Sequence, residues 1–274
     1  MSDQRVTTGF RVLAGVIAAI ALVASGSLVS GQSTSAIRVA AAADLKFVMP
    51  ELVSLFEKKM GTHVEVSYGS SGNFFAQLQN GAPFDAFFSA DSEYPRKLSA
   101  SGLVEHGDVH EYAVGRLVLW TPAKSAIDVT HAGWQALTDP AVHKIAIASP
   151  EHAPYGRAAV AALQKSGLYE QVSAKLVYGE DISQAAQFAE SGNAQVGIIA
   201  MSLAVSPRMR SGKYWEIPED SYSAIKQSSA VLRQSSNKEA ARSFVAFVTG
   251  PDGRAILERF GFSVPADAGF GPKS

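Results

Sequence analysis

Apolar residues fall along this chain in two alternating patterns. Short unbroken runs such as Ile37–Ala42 (IRVAAA), Phe84–Phe88, Lys144–Ala148 and Val196–Ala200 lack helical period and predict buried strands. Between them lie stretches with apolar residues three and four apart. Pro50–Met60 carries Leu52, Val53, Leu55 and Phe56 on one side and stops at Gly61. Asn73–Asn80, Asp91–Ser101, Gly156–Ser166, Ser183–Gly192, Lys238–Val248 and Asp252–Phe260 read the same way, and Val64–Tyr68, Gly115–Trp120, Lys175–Tyr178 and Ser229–Leu232 read as further strands. Strands alternating with helices of about ten residues imply βαβ units and a mostly parallel sheet.

The first segment has a different character. Arg5 and Arg11 precede the apolar run Val12–Ala24, and a small, polar stretch follows up to Ala36. This is the layout of a secretory signal peptide. An apolar run of 13 residues is short of the roughly 20 needed to span a bilayer, which disfavours an uncleaved anchor. Cleavage after Gly26 and cleavage after Ala36 both fit; Ala36 is preferred, leaving an exported, periplasmic chain.

The remaining residues suit two α/β lobes. The preferred crossing points are Leu119–Pro122 and Pro218–Ala224. The expected organisation is a leader over 1–36, lobe one from 37–119 and 222–274, and lobe two from 120–221. Two crossings make a two-segment hinge, with ligands held outside the carboxyl ends of the strands.

Composition narrows the function. Lys+Arg number 24 and Asp+Glu 25, a net charge of −1, which argues against a nucleic-acid partner. There is no cysteine, hence no thiol nucleophile, disulfide, zinc-thiolate site or lipid attachment through an N-terminal Cys. The chain has no Gly-x-Ser-x-Gly elbow, P-loop or dinucleotide fingerprint, and is expected to be neither an enzyme nor a cofactor carrier. His106 and His110 are four apart, but Gly107 and Asp108 between them favour a surface loop over a metal site. Glu180-Asp181 and Glu219-Asp220 read as caps and solvated turns.

What remains is the turns after strands: Ala43-Asp44-Leu45, Gly69–Gly72, Ser149–Gly156 and Gly179–Ser183. Several open helices, and helix N-termini attract anions through their unpaired amides. Ser70 and Ser71 could cap a helix or face a ligand. Tyr155 could offer an amide, a phenol, or only packing. Ile182 could donate only its backbone N–H.

At these turns the sequence resembles the periplasmic molybdate-binding proteins of ABC importers. The matching pieces are AAADL (41–45), SYGSSGNFFAQLQNGAPFDAFFSAD (67–91), GRLVLW (115–120), SPEHAPYG (149–156), GEDISQA (179–185), VGII (196–199), PEDSY (218–222) and ERFGF (258–262). The resemblance implies a two-lobed class II periplasmic binding protein, each lobe a mostly parallel sheet flanked by helices. It implies a monomer that closes on one tetrahedral oxyanion, molybdate or tungstate, and hands it to an inner-membrane permease with its ATPase. Carried over by position, the ligand contacts fall on Ala43, Asp44, Ser71, Tyr155 and Ile182, and molybdenum enters only as molybdate held through those residues.

Two positions depart from the family. Where members usually carry Ser or Asn, this chain has Asp44. Two unit charges 4 Å apart repel by about 4 kcal/mol at an effective dielectric near 20, and a dianion doubles that. Asp44 must therefore turn away and cap its own helix (the preferred expectation), carry a proton, be neutralised by Lys46, or meet an anion that carries a proton itself. Where some members place a tyrosine, this chain has Ala200, and Tyr155 is the candidate replacement donor. Other readings are a receptor retuned to a protonated oxyanion, a ferric-iron receptor built on Tyr68, Tyr155 and Asp44, and an exported hydrolase pairing Ser71 with His152.

Overall fold

The computed structural model describes residues 36–264. All of the expected leader except Ala36 lies outside them, as do the last ten residues. The strands are β1 (Ile37–Ala42), β2 (Val64–Gly69), β3 (Ala86–Ser89), β4 (Val104–Gly115), β5 (Leu117–Thr121), β6 (Ile145–Ala148), β7 (Leu176–Gly179), β8 (Val196–Ala200), β9 (Lys213–Glu216) and β10 (Ile225–Leu232). The helices are α1 (Met49–Met60), α2 (Ser71–Gln79), α3 (Glu93–Ala100), α4 (Val129–Ala132), α5 (Pro154–Lys165), α6 (Tyr169–Val172), α7 (Ile182–Glu190), α8 (Met201–Ala204), α9 (Lys238–Thr249) and α10 (Pro251–Arg259). Ala43–Leu45 forms a separate 3-10 turn.

Two five-stranded sheets result, ordered β2-β1-β3-β10-β4 and β7-β6-β8-β5-β9. In the first, β1 runs parallel to β2 and β3, while β10 runs antiparallel to β3 and β4. In the second, β6 runs parallel to β7 and β8, while β5 runs antiparallel to β8 and β9. The architecture is therefore two α/β lobes, each sheet half parallel and half antiparallel rather than mostly parallel. The antiparallel half arises because the fourth strand of each sheet enters from the other lobe. β5 pairs wholly within the second sheet, so the chain first changes sheet at Arg116, ahead of the Leu119–Pro122 crossing that the sequence suggests. It returns between Glu216 and Ile225.

Strand β1 shows why its apolar run has no alternation: it is central and covered on both faces. Ile37, Val39 and Ala41 enter a core with α1, α9 and α10, while Ala40 enters another with Phe74, Leu78 and Phe87. Helix α1 carries Pro50 in its first turn and ends at Gly61, whose positive φ of 69° lets its amide bond back to Glu57 O. Phe244 of α9 is fully buried, its ring edge-on to Phe56 at 5.0 Å and to Phe88 at 5.6 Å.

β4 and β9 were not legible as strands. Both are edge strands, and edges carry the charge that blocks further pairing. His110 lies in β4 rather than in a surface loop, and His106 lies in the same strand. Burial lowers the His110 pKa. Among the described residues no cluster of three or more His, Cys, Asp or Glu could hold a metal, and no helix is long and apolar enough to cross a membrane.

Candidate functional site

The turns at the carboxyl ends of β1, β2, β6 and β7 meet between the two sheets. Ala43, Asp44, Ser71, Tyr155 and Ile182 all line one small cavity there. Ala43 and Asp44 come from the 3-10 turn after β1, Ser71 from the start of α2, and Tyr155 and Ile182 from the starts of α5 and α7 beside the second sheet. No Lys or Arg is among its lining residues.

Each helix start divides its work between capping and exposure. Ser70 caps α2, its hydroxyl accepting from Asn73 N at 3.3 Å. Ser71 is buried, and its hydroxyl accepts from Ala90 N at 2.9 Å, which leaves the hydroxyl proton for an acceptor in the cavity. Asp181 caps α7, accepting from Ser183 N at 2.8 Å and Gln184 N at 2.9 Å. The Ile182 amide, the first of that helix, has no acceptor within it. In α5, Pro154 has no N–H, and Gly156 N and Arg157 N both donate to Ala153 O. Tyr155 is left with a first-turn amide beside the cavity. Three helix N-termini from the two lobes thus aim amide dipoles at one small volume.

Asp44 sits 1 % exposed in the 3-10 turn. Its side chain makes no helix cap, contrary to the preferred expectation. Instead Oδ2 accepts from Gln227 Nε2 at 2.6 Å and from the Tyr155 hydroxyl at 3.1 Å. The Gln227 amide also reaches the Tyr155 oxygen at 3.1 Å, and its own Oε1 accepts from the Tyr112 hydroxyl at 2.6 Å. Because a carboxylate oxygen only accepts, Gln227 must present its nitrogen, which orients the whole chain of bonds. The backbone carbonyl of Asp44 accepts from Ser202 Oγ at 2.8 Å. Asp44 Oδ1 is buried and has no partner among the described residues. Burial pushes the Asp44 carboxyl up to about 6, against the lowering effect of the Gln227 and Tyr155 bonds and of its own backbone N–H, and the Asp181 charge pushes the same way as burial. Burial, with the nearby Asp44 charge, raises both the Tyr155 and Tyr112 phenols well above their ordinary value, so both are donors at neutral pH.

The Tyr155 phenol is thus engaged by Asp44, while its first-turn amide has no acceptor within the helix. Lys46 does not neutralise Asp44: it lines a separate surface pocket with Glu190 and Arg208. Ala200 is buried at the end of β8, just before α8. Gln227, Tyr112 and Ser202 carry no motif. Gln227 is 183 residues from the carboxylate it holds, and only its burial in β10 marks it.

The same seam carries contacts between the lobes. Gly72 N donates to His152 O at 2.9 Å, Asn73 Nδ2 to Glu180 Oε1 at 2.9 Å, and Arg157 Nη2 to Asp91 Oδ2 at 2.6 Å. The hydrolase pairing is not assembled, since the His152 ring faces Glu151 at 3.6 Å while Ser71 bonds Ala90. Nor is the iron set, since Tyr68 lines a neighbouring pocket with Gln77 and Phe84.

Residues 37–263 match the family described as bacterial extracellular solute-binding protein. The chain is 36% identical over 241 residues to the molybdate-binding protein ModA of Azotobacter vinelandii, spanning 88% of this chain and 94% of that one. It is 38% identical over 226 residues to ModA of Rhodobacter capsulatus, spanning 82% and 87%. The solved structure of the Azotobacter vinelandii periplasmic molybdate-binding protein superposes with a TM-score of 0.79 at 32% identity, covering 84% of this chain and 99% of that one.

Proposed function

The chain belongs to the bacterial extracellular solute-binding proteins, and from that premise we propose that it captures molybdate, with tungstate as an equivalent ligand, and delivers it to an ABC import permease. The observation that carries this reading is the donor set. Three helix starts, with their first-turn amides, and Ser71 with its hydroxyl line one small cavity that no Lys or Arg borders. Molybdate at neutral pH is an unprotonated dianion whose oxygens only accept hydrogen bonds. A ring of neutral donors at fixed distance suits it, and helix dipoles supply the compensating positive potential.

In this reading the amides of Ala43, Asp44, Ser71, Tyr155 and Ile182 and the Ser71 hydroxyl touch the oxygens, and nothing touches the metal. The relatives are binding proteins named for molybdate, and the present chain works likewise by capture and release, without turnover. It acts as a monomer in the periplasm after loss of its leader. The lobes, 37–119 with 222–274 and 120–221, shifted at the first boundary to the change of sheet at Arg116, close about the two crossings.

Calorimetric titration of the chain from Ile37 with molybdate, tungstate, sulfate and phosphate tests the proposal. Binding of the first two with the others silent is the expected result. Silence from molybdate and tungstate with binding of sulfate or phosphate would sink the ligand assignment. Ser71→Ala should weaken molybdate binding by roughly tenfold to a hundredfold, because a hydrogen bond to a charged group contributes about 1.5–3 kcal/mol. An unchanged Kd in that variant would remove Ser71 from the site.

A further inference from the structure

Asp44 has one carboxylate oxygen that the fold uses and one that it does not. Oδ2 takes both the Gln227 amide and the Tyr155 hydroxyl. Those donors are held in turn by the Tyr112 hydroxyl on β4, through Gln227 on β10. With two donors on Oδ2, a proton on this carboxyl belongs on Oδ1. That atom is buried, without a partner among the described residues, on a residue that lines the anion cavity. A buried polar atom left unpaired is costly, and a ligand that pairs it recovers that cost.

We infer that Asp44 is the proton carrier of the site: protonated on Oδ1, it donates a hydrogen bond to the captured oxyanion, so that each dianion bound above neutral pH brings one proton from solvent into the complex. This deepens the molybdate reading and rests on it. An ionised Asp44 would leave Oδ1 repelling the dianion, whereas the neutral acid adds a donor to a ring of donors. The titratable groups facing Asp44 favour the same state. Tyr155 on α5 and Tyr112 on β4 are neutral phenols, and the Asp181 carboxylate at the head of α7 adds negative charge. Lys46, on the same turn, faces elsewhere. With the free carboxyl already titrating at about 6, little further shift is needed to hold the proton once the anion is in place.

The sign of the pH dependence follows. Below about pH 6 the free protein already carries the proton, and binding is insensitive to pH. Above it, binding must take a proton up, so affinity falls by up to tenfold per pH unit, or roughly fiftyfold between pH 6 and pH 8.

The test is titration of the wild-type chain from Ile37 with sodium molybdate at pH 6, 7 and 8, each in two buffers of different ionisation enthalpy. Uptake near one proton per molybdate at pH 8, falling toward half at pH 6, with the weakening above, is the expected result. Asp44→Asn should take up no proton, bind with a Kd flat across this range, and exceed the wild type at pH 8. Its Oδ1 can accept the Gln227 and Tyr155 bonds while Nδ2 donates to the anion. Equal wild-type Kd values at pH 6 and pH 8 with no proton uptake would overturn the assignment while leaving the receptor intact. No binding of molybdate or tungstate at any pH would overturn the receptor reading, and this one with it. If the asparagine variant does not fold, the wild-type proton count decides alone.

Discussion

Gly72→Ala should weaken molybdate binding by roughly fivefold to a hundredfold, on the scale of the 1–3 kcal/mol that overpacking costs, while barely moving the melting temperature of the free protein. A Cβ at this position would lie 2.7 Å from His152 O, 2.8 Å from the Tyr94 hydroxyl and 3.0 Å from His152 Cα. Two of these three atoms are backbone of the β6–α5 turn in the opposite lobe, so they cannot swing aside. The Gly72 amide itself donates to His152 O across the seam. If capture closes the lobes as proposed, the methyl group strikes only when they are together, and its cost falls on the closed state. Titration calorimetry and thermal melts of the same preparation separate the two effects. A large fall in the melting temperature of the free protein with unchanged Kd would show that the contact belongs to the fold and not to capture.

Phe244→Ala should remove about 3–5 kcal/mol of stability, the usual cost of emptying a buried aromatic site. Phe244 is fully buried where α9 lies on the first sheet, with Phe56 of α1 and Phe88 of β3 set edge-on around it. Three different elements would border the void, and none can collapse into it without dragging a helix or a strand. Denaturant titration reads the loss directly. A change below about 0.5 kcal/mol, the ordinary range for surface sites, would mean that this core repacks freely.

Among the described residues, the seven helices of eight residues or more were legible from their helical period and the buried strands from their unbroken apolar runs, whereas the four-residue helices α4, α6 and α8 are too short to show a period. α9 and α10, expected over 238–248 and 252–260, occupy 238–249 and 251–259. β4 was not legible, because an edge strand with charged residues and Gly107 has neither the apolar run nor a clean alternation. The five site residues inferred from resemblance do come together, yet the state of Asp44 was beyond reach of the sequence. Its neighbours Lys46 and Leu45 suggest a local cap or ion pair, whereas its partners are Tyr155 and Gln227, more than a hundred residues away. Long-range pairing of a lone polar residue leaves no periodic trace. The division of labour between Ser70 and Ser71 was equally hidden: the two hydroxyls are identical in chemistry and both residues line the cavity, and only the direction of each side chain makes one the cap of α2 and sets the other on Ala90 N.

The position of β10 has a consequence for how the chain assembles during synthesis. This strand lies between β3 and β4 and bonds to both, so the first sheet is split in two until residues 225–232 exist. The second sheet draws all of its strands from the unbroken stretch 117–216. A chain emerging from its N-terminus therefore finishes its second lobe before its first, and the lobe begun earliest stays open until the C-terminal segment returns to close it.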